Sequence, residues 1–170
     1  TISSITEEIN QTFVKAVGNG SYNWTINCTD TLNNIGSSTK YNLSVSTADI
    51  IASTCNFTEV NVSMTSANSG DTVVIPEGNC IWNNTLIINK GITLQGTGSN
   101  YTHISSTLND TYSSLVSITL SSNVPVRITN IHFNYSTNYY GARSIQINGK
   151  TDNSFAYTQI RIDQNKFEKG

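Results

Sequence analysis

Charge is scarce in this chain: Asp, Glu, Lys and Arg make up 12% of its 170 residues, against roughly a quarter in ordinary soluble domains. The formal net charge is -2, so there is no basic footprint and no electrostatic support for binding nucleic acid. No run of 18 apolar residues occurs, so no transmembrane helix is expected. There are two histidines, three cysteines and no C-x-x-C, which argues against a zinc site. No cofactor is implied. The sequence contains no signal peptide and starts at Thr1 rather than Met, as expected of a processed or trimmed beginning.

What is abundant is Asn, Ser and Thr. Such a composition would suit a disordered chain, but the apolar residues are periodic. TVVIP (72–76), TLIIN (85–89), GITLQ (91–95), VSITL (116–120), VRITNIHF (126–133), SIQIN (144–148) and QIRI (159–162) all predict strands. Gly, Asn, Ser and Asp fill the intervals, as turns require. The expected class is all-β.

Asn begins an N-x-[ST] sequon at 11 of its 23 occurrences, about twice the share that 45 Ser and Thr among 170 residues would give at random. The acceptors are Asn10, Asn19, Asn23, Asn27, Asn42, Asn56, Asn61, Asn83, Asn100, Asn109 and Asn134. In a strand, alternate side chains share a face. SYNWTINCT (21–29) therefore puts Asn23 and Asn27 on a polar face and Tyr22, Trp24 and Ile26 on an inward one. YNLSVS (41–46) repeats this, with Asn42 opposed to Tyr41, Leu43 and Val45. The expectation is N-linked glycans on the solvent side.

Residues 4–17 fit an amphipathic helix, with Ser4 and Glu7 as a capping box and Ile5, Ile9, Phe13 and Val17 on one face. With the strands at 21–29 and 41–47, it would form an N-terminal appendage over residues 1–50. Residues 51–170 read as a second domain. It opens on a short helical pattern, Phe57, Val60 and Met64, followed by SGD (69–71) and the strand TVVIP.

The segment from Phe57 to Gly98, F-x-x-V-x-x-x-M-x-x-A-x-x-GDTVVIPEGNCIWNNTLIINKGITLQGTG, resembles the entry of a right-handed parallel β-helix of the pectate-lyase-like superfamily. The resemblance implies a short helix capping the first coil, then a GDTVxIPxG strand and a GITLxGxG strand. It speaks to fold rather than activity, because that superfamily includes lyases, hydrolases, tailspikes, adhesins and non-catalytic surface proteins. An internal repeat agrees: VRITNIHFN (126–134) aligns without gaps on IRIDQNKFE (160–168) at an offset of 34 residues. Arg127 matches Arg161, Ile128 matches Ile162, and Phe133 matches Phe167. The isoleucines would stack inside, about 4.8 Å apart per rung, and the arginines would point outward. On this fold, in a secreted protein, a Cys55–Cys80 disulfide would tie the capping helix to the first coil and contribute about 3 kcal/mol. Cys28 is left as a buried free thiol, as a partner for another chain, or as a replacement for one of the two.

Lyases and hydrolases on such folds need a compact cluster of carboxylates on one face. Glu7 and Glu8 suit a helix N-terminus, Asp71 and Glu77 suit turns, and Asp110 and Asp152 lie in polar loops. Asp163, with Arg161 and Lys166, would line a surface, but the repeat places Thr129 rather than a second carboxylate beside it. His103 and His132 read as surface or satisfied structural residues. Tyr135, Tyr139 and Tyr140 would form a sugar-stacking platform or a packed loop. No catalytic residue and no metal ligand is assigned. The closing residues, IRIDQNKFEKG, offer no cap, which suggests truncation, a self-folded end, or head-to-tail self-association that leads to a filament. The expectation is an extracellular or cell-surface glycoprotein of structural or adhesive role. A carbohydrate-active enzyme or polysaccharide-binding domain is the alternative, and a virus fibre segment a third.

Overall fold

The computed structural model describes residues 15, 17, 20–45, 47–108, 113–135, 143–149 and 159–169. The helix expected over residues 4–17, apart from Lys15 and Val17, and the sequons at Asn10, Asn19 and Asn109 lie outside the described residues, as do Tyr139, Tyr140, Asp110 and Asp152. The chain divides into two compact units, Thr1–Ser46 and Thr47–Gly170.

The first unit is an antiparallel ribbon. β1 (Gly20–Trp24) pairs with β4 (Tyr41–Val45), and β2 (Asn27–Thr29) with β3 (Ile35–Ser37). The Asp30 carboxylate builds the tip by accepting from the backbone N–H of Leu32 and of Asn34, both at 2.9 Å. SYNWTINCT is therefore not one strand. It breaks at Thr25–Ile26, where Ile26 N–H donates to Ser38 Oγ at 2.9 Å. The expected inward face is corrected too. Trp24 and Tyr41 stack with ring centroids 4.6 Å apart, yet both are 47% exposed, and Ile26 and Leu43 are exposed as well. Among the described residues of this unit no second layer covers either face of the ribbon. Cys28 is exposed and free, not buried.

The second unit begins with β5 (Asp49–Ile51) and α1 (Phe57–Ser66). Then come β6 (Thr72–Ile75), β7 (Gly78–Trp82), β8 (Leu86–Ile88), β9 (Thr93–Gly96), β10 (Thr102–Ser106) and β11 (Ser114–Ile118). β12 (Val126–Thr129), β13 (His132–Tyr135), β14 (Arg143–Ile147), β15 (Ile160–Asp163) and β16 (Lys166–Lys169) complete it. They form three sheets, ordered β15-β12-β9-β6-β5, β16-β13-β10-β7 and β14-β11-β8. Every pairing in these sheets is parallel. From β6 onward the chain visits the first, second and third sheet in rotation. VRITNIHF is thus two strands rather than one. Asn130 turns the corner in the left-handed region (φ 61°), and Gln164 does so (φ 55°) at the equivalent place in the repeat. Asn165 ties the earlier corner: its Nδ2 donates to the Ile128 carbonyl and its Oδ1 accepts from Ile131 N–H.

The core lies where inward columns stack in register. Val73, Leu94 and Ile128 form one column, Ile104 and Phe133 part of a second, and Leu86–Val116 and Ile88–Ile118 parts of two more, all fully buried. α1 packs on the first strand round, with Val60 and Met64 buried and Phe57 edge-on to Trp82. Trp82 is fully buried, and its Nε1 donates to the Cys55 carbonyl. The Cys55–Cys80 disulfide joins the segment before α1 to β7, with Cα atoms 5.8 Å apart. Lys90 Nζ donates to the carbonyls of Met64, Thr65 and Ala67, capping the helix C-terminus from another element.

Gly96, the second glycine of GITLQG, is demanded by close approach. A Cβ there would meet the Asn130 carbonyl oxygen, Thr102 Cβ at 2.9 Å and Ile131 Cγ1 at 3.0 Å, because the corner between β12 and β13 lies against it. Gly96→Ala is expected to destabilise the fold by about 1–3 kcal/mol. Gly149→Ala, where nothing lies within 4 Å, should stay within about 0.5 kcal/mol. Urea unfolding of the two variants checks this.

Candidate functional site: outward ladders of charged side chains

Side chains that alternate with the core columns project outward and also stack. On the first sheet the register runs Asp49, Thr72, Thr93, Arg127, Arg161, beside Ile51, Val74, Gln95, Thr129, Asp163. Diagonal neighbours across adjacent strands are within reach of long side chains. Asp163 accordingly accepts from Arg127 Nε at 3.0 Å and Nη2 at 2.9 Å, and meets Arg161 Nη2 at 2.7 Å. The hydrogen bond from Arg127 does most to hold the Asp163 carboxyl below its ordinary range, and the same contact raises Arg127. The two repeat arginines thus bracket one carboxylate. That spends the charge on pairing and leaves no carboxylate pair spaced for glycoside chemistry among the contacts of this group.

On the second sheet the outward column is Asn79, His103, His132, Lys166. The two imidazoles lie with centroids 4.6 Å apart and their Nδ1 atoms at 3.0 Å. His103 Nε2 is 3.0 Å from the Asn100 carbonyl oxygen. His132 is 6% exposed. Its Nε2 lies 3.0 Å from Glu168 Oε2. Lys166 Nζ sits 2.5 Å from Glu168 Oε1, and that hydrogen bond is the largest cause holding the Glu168 carboxyl low. The histidines are therefore paired with each other, which only the register between β10 and β13 decides. Lys166 pairs with Glu168, not with Asp163.

Among the described residues no group of three His, Cys, Asp or Glu is placed to hold a metal. Tyr135 is buried, with its hydroxyl 2.8 Å from Ser113 Oγ, and so belongs to the packing rather than to an exposed aromatic platform. Asp71 serves a turn: its carboxylate accepts from Ala48 N–H at 2.9 Å and Asn68 N–H at 2.7 Å. Of the sequon acceptors, Asn23, Asn27, Asn42, Asn56, Asn61, Asn83 and Asn100 are exposed. Asn23 and Asn42 stand directly opposite each other on β1 and β4. Asn134 is half-buried, and its Oδ1 is buried without a partner.

No protein-family model, curated protein or solved structure matches the chain.

The backbone N–H groups around Asp71, that of Ala48 first, hold its carboxyl low. Asp71 and Asp163 therefore contribute stability that is complete above the unfolded carboxylate range, near 4, and is lost as pH falls through their depressed folded values. Asp71→Asn and Asp163→Asn are each expected to lower stability at pH 7 and to flatten its acid dependence. Chemical unfolding at a series of pH values from 7 to 2 measures both.

Proposed function

We propose that this chain is an extracellular, N-glycosylated, non-catalytic structural or adhesive protein built on a right-handed parallel β-helix, acting as a subunit of a filament or surface layer. The three sheets would be the faces of the helix, with α1 as its cap. The rotation of strands among parallel sheets and the Phe57–Gly98 motif support that reading, and with it the resemblance to the pectate-lyase-like superfamily. The observation that carries the functional side is the exposure of seven sequon asparagines on a fold where Arg127 and Arg161 pair with Asp163, and Lys166 with Glu168. Glycans at those positions would supply the hydration that charge does not. The Cys55–Cys80 disulfide fits the oxidising route such a protein takes.

Self-association is the assembly mode this reading calls for. β14, β15 and β16 each end a sheet order. They carry Ile147 (46% exposed), Ile162 (39%) and Phe167 (51%), which continue the core columns. Ile162 was expected inside. It does continue the Ile128 column, but no described strand lies on it. A strand edge of this kind is a template for further parallel pairing.

Intact-mass measurement of native material before and after enzymatic deglycosylation should show several glycans lost. Site mapping should place them on the seven exposed acceptors and leave Asn134 bare; an unmodified chain would sink the glycoprotein reading. Native protein should form regular fibres or sheets under negative stain, and Phe167→Glu should abolish them. A monomer at all concentrations, or cleavage of acidic polysaccharides with or without calcium, would overturn the structural role.

A further inference from the structure

A groove of about 310 Å³ lies between α1 and the end of β8, lined by Asn61, Met64 and Thr65 of the helix and by Ile87, Asn89 and Lys90. Met64 brings buried apolar surface. Ile87 alternates with the inward Leu86 and Ile88 and is 56% exposed. Asn61, Thr65 and Asn89 are exposed polar groups around this apolar pair. Lys90 holds the two walls together through its bonds to the Met64, Thr65 and Ala67 carbonyls. An apolar patch with a few amides and hydroxyls beside it suits a sugar ring, which has apolar C–H faces and a polar edge. Asn61 is both a wall of the groove and the acceptor of the sequon Asn61-Val62-Ser63.

We propose that the innermost N-acetylhexosamine of a glycan on Asn61 is seated in this groove, its N-acetyl methyl against Met64 and Ile87 and its polar edge towards Thr65 and Asn89. The inference rests on the glycoprotein reading above and gives one of its sugars a fixed place. The volume is at the low end for small-molecule sites. It holds the first ring, and the rest of the glycan runs out to solvent. In the transfer, Asn61 Nδ2 forms a bond to C1 of the sugar and the C1–O bond to a diphosphate-activated donor breaks. The diphosphate leaves with the electron pair, and Nδ2 gives up one proton. Ser63, whose hydroxyl completes the sequon, is 7% exposed in α1, so the transfer precedes the packing of the helix. Folding then carries the sugar onto Ile87. Seated there, it stands beside β8, which ends its sheet order, and shields that edge from pairing.

The test uses the full chain secreted from a glycosylating host. Peptide mapping should find N-acetylhexosamine on Asn61. Nuclear Overhauser spectra should show its N-acetyl methyl in contact with the Met64 and Ile87 methyls. Asn61→Gln should lower the melting temperature by about 2–4 °C. Ile87→Thr, which keeps the β-branch but removes apolar surface, should lower it as much. The double variant should melt no lower than Asn61→Gln alone, because Ile87 matters only while the sugar lies on it. Circular dichroism should be the same for all of them. Additive effects of the two substitutions, an Asn61-linked sugar without contact to Ile87, or Ile87 contacts that vanish on dilution and so belong to a second copy, would overturn the seat and leave the glycoprotein reading standing. A bare Asn61 beside modified acceptors elsewhere would do the same, whereas a chain bare at every acceptor would overturn both.

Discussion

In-register stacking of like side chains across parallel strands is the constraint on which the second unit depends. When Val73, Leu94 and Ile128 fall in one column and are fully buried, each strand covers the apolar surface left by the one before it. At about 25 cal/mol per Å² of apolar surface, each such residue contributes on the scale of 1.5–3 kcal/mol, and only if the register holds. A slip of one residue would turn the column outward. The devices around the columns serve that register: the left-handed corners at Asn130 and Gln164, the Asn165 tie across the earlier corner, and Gly96, which lets one strand round lie against the next.

The same register governs the outside. Stacking that aligns isoleucines inward aligns arginines, histidines and amides outward, and a column of like charges would repel. The chain answers with interleaved partners. Asp163 sits between Arg127 and Arg161, and Glu168 between Lys166 and His132. Low overall charge follows from this geometry, since each further strand of a charged column needs a compensating neighbour. The exposed surface is left to Asn, Ser and Thr, and there the sequons accumulate.

Much of the second unit was legible in one dimension. The alternation in TVVIP, GITLQ and SIQIN marked strands, the spacing of Phe57, Val60 and Met64 marked α1, and the 34-residue repeat paired Arg127 with Arg161 and Phe133 with Phe167 as the register does. Some strands were obscured, among them GNCIW (β7), because the turn formers Pro76, Gly78 and Asn79 dominate its entry, and KFEK (β16), whose residues are mostly charged. VRITNIHF hid its corner, because an Asn in a left-handed conformation looks locally like any polar strand residue. The ribbon misled for the opposite reason: alternation announces two faces but does not supply a layer to cover one of them.

By itself the sequence determined the all-β class, the helix before the first long strand, the turn role of Asp71, and which residues share a strand face, because these follow from spacings of two to four residues along one chain. Only the tertiary structure decided that the strands sort into three parallel sheets, that His103 meets His132 and Arg127 meets Asp163, and that Asn134 is half-buried while Asn23 and Asn42 stand open side by side. Those facts depend on register between strands about 20 to 36 residues apart, and no local pattern carries that information.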